Sequence, residues 1–280
     1  MSAPDLESKR KRLDAILKDL GSALVAFSGG VDSTFLVAEA RHILGRDKVL
    51  AVTADSETYA PEELQLARDL AVRLDVKHLV VQTRELDVPN FRHNPPDRCY
   101  WCKRELFTHL ARLAKERGLA AVCDGANADD PKEHRPGLRA AAELGVRSPL
   151  KEAGLTKNDI RALSRAMNLP TWNRPAMACL ASRFPYGREI TPEALERVAA
   201  AERFLRELGY ETCRVRDHFP VARIEVAADA LARLLGDRER ITRELKTLGY
   251  TYTALDLEGY RPGAMDETLP NAERGMGNAE

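Results

Sequence analysis

The sequence lacks several features that mark specialised classes of protein. Lysine plus arginine and aspartate plus glutamate each number 43, so the formal net charge is zero and no global field favours DNA, RNA or an anionic membrane as a partner. No apolar run approaches the roughly 18 residues that cross a bilayer, and the N-terminal residues contain no apolar signal core. We therefore expect a cytoplasmic protein with no membrane partner.

Cysteine is scarce as well, with five residues in a chain of 280. Without an export signal, this number favours reduced thiols used in metal, cluster or redox chemistry over structural disulfides. The hydrophobic content of 44% is that of a globular protein that can bury one large core or two modest ones.

The stretch SGGVDST, residues 28–34, follows a short apolar run and leads into a helix-like segment. Two adjacent glycines, Gly29 and Gly30, let the backbone turn sharply and approach a ligand closely, while Ser28 and Ser33 add hydroxyl groups. The free N–H groups of a helix start favour phosphate at such a place. An ordinary strand-to-helix turn is the alternative interpretation.

This loop has no Gly-Lys-Ser/Thr ending, so it is not a Walker-type loop. It resembles the PP-loop of the ATP pyrophosphatase superfamily, whose members adenylate a carbonyl or carboxyl oxygen and release pyrophosphate. The resemblance implies ATP as a ligand and Asp32 as a catalytic as well as a nucleotide-binding residue. The matching positions are Ser28, Gly29, Gly30, Asp32 and Ser33.

Apolar runs of strand length alternate with helical patterns through the first part of the chain, at residues 23–27, 48–54, 76–82 and 120–124. This alternation predicts right-handed βαβ units and an α/β fold with a Rossmann-like, doubly wound parallel sheet. Ligands of such sheets bind outside the carboxyl ends of the strands.

The pattern changes near residue 188 to helix, two strands, helix and strand. We predict a PP-loop domain over residues 1–187 and a smaller C-terminal α+β module over 188–261 for substrate binding and oligomerisation. The tail 262–280, rich in Gly, Pro, Asn and Glu, is predicted to be disordered.

Two segments that follow predicted strands are candidate ligand positions. In the PP-loop family the first holds adenine and ribose, which implicates Ala54 and Ser56 here. The second runs from Gly125 to Asp130 and contains Asn127 as well as two carboxylates. Asp129 and Asp130 suit Mg²⁺, which binds ATP phosphates with one or two carboxylates and retained waters. An Asx-type turn is the alternative interpretation.

Cys99 and Cys102 precede a predicted helix that begins near residue 103, and a helix N-terminus favours thiolate. Two thiolates spaced three apart could form a redox dithiol, half of a zinc site, part of a cluster site, or simply pack. A zinc site would need two more ligands, for which Cys179 with His93 or His109 are candidates. Cys179 lies in an irregular loop, residues 172–187, of the kind that often carries catalytic groups.

Together, the PP-loop, residues 98–107, residues 124–130 and the CLASR segment at 179–183 resemble the LarE family over about residues 13–260. These ATP-dependent sulfur transferases make the nickel-pincer nucleotide cofactor of lactate racemase. The resemblance implies that a carboxylate of a pyridinium mononucleotide is adenylated and that sulfur then replaces AMP, giving a thiocarboxylate.

The family has two forms that differ in the source of sulfur. In one, a lone cysteine at the position of Cys179 gives up its own sulfur in a single turnover. In the other, three cysteines hold a [4Fe–4S] cluster that carries an extra sulfide, which requires a sulfide donor. Because Cys99 and Cys102 accompany Cys179, the resemblance favours the cluster form over the sacrificial form, and also over zinc or free thiols. Family members suggest a homo-oligomer, with a hexamer as one form.

Further substrate-binding candidates rest on side-chain chemistry and on this resemblance. Arg183 and Arg214 could grip the substrate phosphate, and Arg183 is also a catalytic candidate. Trp101 could stack on the pyridinium ring, although core packing beside the cluster is the slightly favoured alternative. The remaining candidates are Ser182, and Glu202 and Glu225, which are candidate matches to the acidic residues that bind metal in the C-terminal module of family members.

Two other functions compete with this interpretation. A tRNA thiolation enzyme also combines a PP-loop with three cysteines, but the neutral charge balance makes a nucleic-acid partner less favoured. A non-enzymatic nucleotide-binding scaffold would release no pyrophosphate. Cys123 and Cys213 lie in predicted strands and are expected to be inert.

Overall fold

The computed structural model describes residues 3–130, 136–175, 178–261 and 263–269. The chain divides into two compact units, which we describe separately. The first comprises Met1–Glu85 and Cys99–Met177, and the second comprises Leu86–Arg98 and Ala178–Glu280. The second unit thus begins ten residues before the predicted boundary at 187/188 and takes in a short segment from the first half of the chain.

Strands and helices are numbered along the whole chain. The strands are β1 (Ala23–Ala26), β2 (Val49–Asp55), β3 (Lys77–Gln82), β4 (Ala121–Cys123), β5 (Cys213–His218), β6 (Val221–Val226) and β7 (Tyr252–Leu255). The α-helices are α1 (Ala3–Leu20), α2 (Val31–Leu44), α3 (Pro61–Arg73), α4 (Pro89–Arg92), α5 (Arg98–Glu116), α6 (Pro136–Glu143), α7 (Pro149–Glu152), α8 (Lys157–Ala166), α9 (Pro192–Glu207), α10 (Leu231–Gly236) and α11 (Arg238–Thr247).

The first unit is built on a parallel sheet with strand order β3-β2-β1-β4. The chain moves outward from β1 to β3 and then returns to the other side of β1, so the order reverses between β1 and β4. At such a switch point two neighbouring loops diverge and leave a crevice for a ligand. The predicted α/β fold is confirmed, and the PP-loop after β1 lies at this crevice together with residues 124–130.

The strands of this sheet are apolar on both faces because helices cover both. Val25 belongs to a core with Leu13 of α1 and Phe35 of α2. The next residue toward the N-terminus, Leu24, faces the opposite core with Phe107 of α5. This double burial explains why β1 and β2 appear in the sequence as continuous apolar runs.

Helix α5 begins earlier than the sequence predicted, at Arg98 instead of near residue 103. The prediction was wrong because the helix starts directly after Pro95-Pro96 and Asp97, and none of the following residues interrupts it. Cys99 and Cys102 are therefore the second and fifth residues of α5. At a spacing of three residues they share one face of the helix.

The second unit contains a mixed three-stranded sheet of order β5-β6-β7. Strands β5 and β6 form an antiparallel hairpin, and β7 pairs in parallel with β6. Helix α9 buries Leu205 against Val215 and Ile224 of the sheet. The predicted α+β module is confirmed, with the short helix α10 as an addition.

Part of the predicted disordered tail is folded. Residues 263–269 contain a turn and the 3₁₀ segment Asp266–Thr268, and they bury Met265 and Leu269. Burial of these two apolar side chains stabilises the segment, although the residues around them are mostly polar. Positions 262 and 270–280 of the predicted tail lie outside the described residues.

Across the described ranges, none of the helices combines the length and the apolar character needed to pass through a lipid bilayer.

Candidate functional site

The PP-loop joins β1 to α2 at the switch point of the first unit. Gly29 has φ of +68°, a conformation that side chains other than glycine rarely adopt. The hydroxyl oxygens of Ser28 and Ser33 lie 3.1 Å apart, and the Ser28 Oγ also accepts the N–H of Gly30 at 3.4 Å. Gly30 caps α2 without offering a side-chain oxygen. The loop thus presents two hydroxyl groups and a helix N-terminus, which suits a phosphate group.

Asp32, in the first turn of α2, brings two distant segments to the PP-loop. Its Oδ2 pairs with the Nζ of Lys157, at the first position of α8, and its Oδ1 lies 3.5 Å from the Nδ2 of Asn127. Three segments widely separated in sequence therefore meet at one carboxylate.

Gly125 permits close packing between the loop after β4 and the start of α2. A Cβ atom at this position would lie 3.1 Å from the backbone nitrogen of Ser33 and 3.4 Å from the Cβ of Asp32. Since α2 is fixed by the core, a larger residue would have to push the loop away from it. Glycine at 125 therefore keeps residues 125–130 against the PP-loop.

The loop after β4 is held by its own carboxylates. The Oδ1 of Asp124 accepts the hydroxyl of Ser148 at 2.7 Å, and the Oδ2 of Asp130 accepts the N–H of Asn127 at 2.9 Å. The Oδ2 of Asp129 accepts the N–H of Lys157 at 2.8 Å. Carboxylate-to-backbone hydrogen bonds of the kind expected for an Asx-type turn are therefore present in this segment. Each of these hydrogen bonds uses one oxygen of its carboxylate.

This loop could hold a magnesium ion only if the phosphates of a bound nucleotide supplied part of the ion's coordination shell. Among the described residues, no group of three or more His, Cys, Asp or Glu side chains is arranged to hold a metal ion. Mg²⁺ with ATP commonly takes one or two carboxylates and completes its shell with phosphate oxygens and water. Asp129 and Asp130 can supply that share.

The PP-loop backbone is also held from the side of α3, by residues that the sequence analysis did not single out. The hydroxyl of Tyr59 donates to the carbonyl of Ser28 at 2.6 Å, and burial raises its pKa. The Arg174 guanidinium donates to the carbonyl of Gly29 at 3.2 Å and to Glu63 at 2.5 Å. These contacts fix the two carbonyl groups that flank the glycine turn.

The carboxyl ends of β2 and β3 border an open cavity of about 420 Å³. Its lining contains Ser56, one of the two residues predicted to bind the nucleoside, while the other, Ala54, lies within β2. The lining is mainly polar, which offers hydrogen-bonding groups to a sugar. The lining residues are Asp55, Ser56, Glu57, Gln82, Thr83 and Arg84.

The cysteine pair lies at the start of α5, with Cys99 exposed and Cys102 partly buried. The Sγ of Cys102 is 4.0 Å from the Oε1 of the buried Glu85. Trp101, between the two cysteines, is partly exposed and meets Tyr100 edge-on, with the Arg104 guanidinium 5.8 Å from its ring centroid. Two thiols on one helix face can be ligands of the same metal or cluster.

In the second unit, Cys179 is exposed at the start of a 3₁₀ segment, Leu180–Arg183. The carbonyl of Cys179 accepts the Ser182 N–H at 3.0 Å and the Ser182 hydroxyl at 2.8 Å. The Arg183 guanidinium donates to the same carbonyl at 3.0 Å and to that of Ala178 at 2.7 Å. The cysteine backbone is therefore fixed while its thiol faces outward.

Arg183 itself is almost completely buried, with 1% of its side chain exposed. It forms a two-point pair with Glu202 of α9, at 2.8 and 2.9 Å. Burial opposes ionisation of Glu202, but the hydrogen bonds and charge of Arg183 outweigh it, so the pKa of Glu202 lies below its usual value. The Arg183 guanidinium is therefore engaged by the protein and not directed at solvent.

The neighbouring strand β5 repeats this construction. Arg216 pairs with the fully buried Glu225 at 2.8 and 2.7 Å and donates to the carbonyl of Ser182 at 3.0 Å. Arg214 donates to the carbonyl of Cys213 and lies over the Tyr260 ring, and burial lowers its pKa. Both predicted carboxylates, Glu202 and Glu225, thus have arginine partners in this unit.

The remaining cysteines fit the prediction that they are inert. Cys123 and Cys213 are fully buried in strands. Burial raises their pKa values to about 12 and about 11, so both thiols stay protonated at neutral pH.

The structure gathers the predicted residues of each unit and adds some that sequence reasoning missed. In the first unit, the PP-loop residues, Gly125 and Asn127 share the switch point, and Lys157 joins them. In the second unit, Ser182 and Arg183 donate to the carbonyl of Cys179 and Glu202 pairs with Arg183, while Arg216 binds the carbonyl of Ser182. Each missed residue reaches its site through contacts with residues that are distant in the sequence, and no local motif marks it. The sequence offers only weak signals, which are a lysine next to a helix-capping residue for Lys157 and an arginine in a predicted strand for Arg216.

Comparison with known proteins gives matches of different extent. The family profile "Queuosine biosynthesis protein QueC" matches residues 22–90. A pyridinium-3,5-bisthiocarboxylic acid mononucleotide synthase of Lactiplantibacillus plantarum is 41% identical over 96% of this chain and 97% of its own. An uncharacterized protein of Synechocystis sp. is 44% identical over 94% of this chain and 99% of its own. An argininosuccinate synthase of Natronomonas pharaonis is 30% identical over 55% of this chain and 41% of its own.

Proposed function

Because this chain belongs to the LarE family of PP-loop enzymes, which includes the Lactiplantibacillus plantarum synthase, we propose that it is an ATP-dependent sulfur transferase. In this proposal it adenylates a carboxylate of a pyridinium mononucleotide, releases pyrophosphate, and then replaces AMP by sulfur to give a thiocarboxylate. The product would serve nickel-pincer nucleotide biosynthesis and so the maturation of lactate racemase.

The observation that carries the proposal is the share of the chain over which it is similar to the thiocarboxylate synthase. The matches to the QueC profile and to argininosuccinate synthase cover only part of the chain, and alone they would not favour one reaction over another. The match to the thiocarboxylate synthase spans 96% of the chain and so includes both units, with the PP-loop in one and the Cys179 loop in the other. Sulfur transfer is therefore favoured over other reactions of acyl adenylates.

The adenylation step draws on the switch point of the first unit. The hydroxyl groups of Ser28 and Ser33 and the N-terminus of α2 can hold phosphate oxygens, and we assign the nucleoside to Ala54 at the end of β2 and to Ser56 in the cavity beside it. The substrate carboxylate would attack the α-phosphorus, and pyrophosphate would leave. Mg²⁺, held by Asp129 and Asp130, supplies charge neutralisation for the phosphates when it is bound.

For the sulfur step we propose the form of the family that uses Cys99, Cys102 and Cys179 together. These three thiolates would hold a [4Fe–4S] cluster, which would supply the sulfide for the second step. Cys99 and Cys102 share one face of α5, which suits two ligands of one cluster. The exposed thiol of Cys179 is the third ligand. If no cluster forms, the same thiol could serve as a sacrificial donor.

The structure changes the role that we propose for Arg183. With its guanidinium occupied by Glu202 and by the backbone of residues 178 and 179, Arg183 is better suited to position the Cys179 loop than to grip a phosphate. Arg214, which has no carboxylate hydrogen bond among its described contacts, is the better candidate for the substrate phosphate. Trp101 and Ser182 remain candidates for contact with the pyridinium nucleotide.

Other parts of the proposal concern the setting of the enzyme. We propose that it acts in the cytoplasm as a homo-oligomer and that a sulfide donor reloads it between turnovers. Glu202 and Glu225 would act through their arginine partners and not as metal ligands, because both are fully buried.

Two measurements test the proposal. The first is ATP–pyrophosphate exchange, which should require the pyridinium-3,5-dicarboxylate mononucleotide. Exchange that does not depend on this acid would contradict the assigned substrate. The second is iron and sulfide analysis of protein purified without oxygen, alongside a Cys99→Ala variant. Iron in the wild type but not in the variant supports the cluster form, whereas iron-free protein that loses one sulfur atom from Cys179 during turnover supports the sacrificial form.

A further inference from the structure

The PP-loop lacks the lysine with which Walker-type loops hold phosphates, yet ATP would bring several negative charges to it. It also contains an acidic residue of its own, Asp32. A cationic side chain at this site would therefore add to the charge neutralisation that Mg²⁺ supplies. Within the described part of the first unit, a lysine side chain does reach the loop, and it comes from outside the motif. The Nζ of Lys157 contacts the Oδ2 of Asp32.

The backbone of Lys157 is fixed by several contacts. Its N–H donates to the Oδ2 of Asp129 at 2.8 Å. One residue earlier, Thr156 begins α8 with a capping box, in which its side chain and the Asp159 side chain each accept the other's N–H. Asp159 is in turn paired with Lys9 of α1 at 3.0 Å. The start of α8 is thus pinned to the loop after β4 and to α1.

The side chain of Lys157, in contrast, is free to exchange partners. It is 28% exposed and that of Asp32 is 21% exposed, so water reaches both charges. Ion pairs in such settings are weak, because water competes for each partner and screens the attraction. A triphosphate carries more negative charge than one carboxylate and would compete successfully for the ammonium group.

We propose that Lys157 is the phosphate-binding lysine of the nucleotide site. In the nucleotide-free protein it neutralises Asp32, and when ATP binds, its ammonium group turns to the β- and γ-phosphate oxygens. There it stabilises the negative charge that develops on the departing pyrophosphate. This inference rests on the proposed use of ATP. It assigns to α8 a function that the PP-loop motif does not contain.

The test compares the binding of ATP and of AMP by calorimetry, for wild type, Lys157→Gln, Lys157→Arg and the control Lys115→Gln. Lys115 lies in the last turn of α5 and is exposed. The inference predicts that Lys157→Gln weakens ATP binding by about tenfold or more, while AMP binding changes by less than about twofold. Lys157→Arg should restore most of the ATP affinity, and Lys115→Gln should match wild type.

Equal ATP affinity in wild type and Lys157→Gln would overturn the inference and leave the proposed function standing. Failure of the wild type to bind ATP at all would instead overturn the proposed function, and the inference with it. Equal losses for ATP and AMP would also overturn it, since they would show that Lys157 only supports the loop structure.

A second measurement is made on the wild-type protein, and a variant serves only to assign the signal. Lysines of the wild-type protein can be dimethylated with ¹³C-labelled formaldehyde and observed by NMR. The Lys157 signal, assigned by its absence in Lys157→Arg, should shift on addition of ATP and much less on addition of AMP. A signal that does not respond to ATP would contradict the proposed exchange of partners.

Discussion

Each unit holds an ion pair beside a residue expected to take part in the reaction, and the two pairs are built differently. Arg183 and Glu202 are each 1% exposed, and two hydrogen bonds join them. Lys157 and Asp32 are 28% and 21% exposed, and their contact involves one oxygen. Burial and two-point geometry make the first pair a permanent part of the fold, whereas access of water makes the second pair replaceable.

The difference matches the tasks that we propose. A cysteine that helps to present sulfur to an acyl adenylate needs a backbone that does not move, and Arg183 joins that backbone to α9. A nucleotide site must change its charge balance when ATP enters and pyrophosphate leaves, which requires a cation that can change partners. An ion pair of the same formal charge therefore serves structure in one unit and ligand exchange in the other.

Breaking the buried pair should give the largest effect. Arg183→Ala leaves Glu202 buried without its main partner, and we expect a loss of about 3–5 kcal/mol in the free energy of unfolding of the second unit. Urea unfolding followed by circular dichroism measures this. The exposed control Glu207→Gln, at the end of the same helix, should stay within about 0.5 kcal/mol of wild type. An Arg183→Ala protein as stable as this control would refute the structural role of the pair.

Displacing the loop that carries Asn127 should have an intermediate effect. Gly125→Ala puts a Cβ 3.1 Å from the Ser33 nitrogen, and we expect a loss of about 1–3 kcal/mol in stability together with weaker ATP binding. Gly236→Ala is a matched control, because nothing lies within 4 Å of the added atom. Thermal unfolding and calorimetry would record both quantities, and normal ATP affinity in Gly125→Ala would show that the close contact is not needed.

The pH dependence of stability should distinguish a buried glutamate of the first unit from Glu202. Burial raises the pKa of Glu39 in α2, and the nearby Arg10 only partly offsets it. A raised folded pKa means that Glu39 favours the folded state at low pH, and that this advantage is lost as pH rises from about 4.3 through the folded value.

Glu39→Gln should therefore be more stable than wild type at pH 7, by about 1 kcal/mol, and should lose that advantage near pH 4. Glu202→Gln should do the opposite. Because the pKa of Glu202 is lowered, its contribution is present above about pH 4.3 and is lost as pH falls through the folded value. Unfolding curves at several pH values would show the two signs. The same sign for both variants would contradict this account.

Breaking the exposed pair should have the smallest effect on stability. For Lys157→Met we expect a change below about 1 kcal/mol in the free energy of unfolding, because the pair is open to water and the backbone contacts of residue 157 remain. The loss of ATP affinity should nevertheless be clear. A loss of stability as large as that of Arg183→Ala would remove the distinction between the two pairs.

The sequence was sufficient for those parts of the structure that depend on local pattern. The strand-turn-helix at the PP-loop, the apolar strands and the change of pattern near residue 188 are all encoded in neighbouring residues, and so the α/β fold was predictable. The start of α5 was misplaced by about one turn because the Pro-Pro pair sets that start, while the apolar periodicity becomes clear only later.

The ion pairs were not predictable because their partners are distant in sequence. Lys157 reaches Asp32 across 125 residues, and Arg216 reaches the backbone of Ser182 across 34. Arg183 was a candidate from the sequence, but its pairing with Glu202 depends on how α9 packs. Only the folded chain shows that this guanidinium holds a loop and does not face a substrate.

The central claim is that one ATP is spent for each sulfur atom placed on a pyridinium carboxylate. The most direct test is to incubate the protein without oxygen with ATP, sulfide and the pyridinium-3,5-dicarboxylate mononucleotide, and to quantify pyrophosphate, AMP and thiocarboxylate by mass spectrometry and chromatography. The account predicts equal amounts of all three products, and none when the acid is omitted. Pyrophosphate and AMP without thiocarboxylate, in protein that retains Cys99, Cys102 and Cys179, would contradict it.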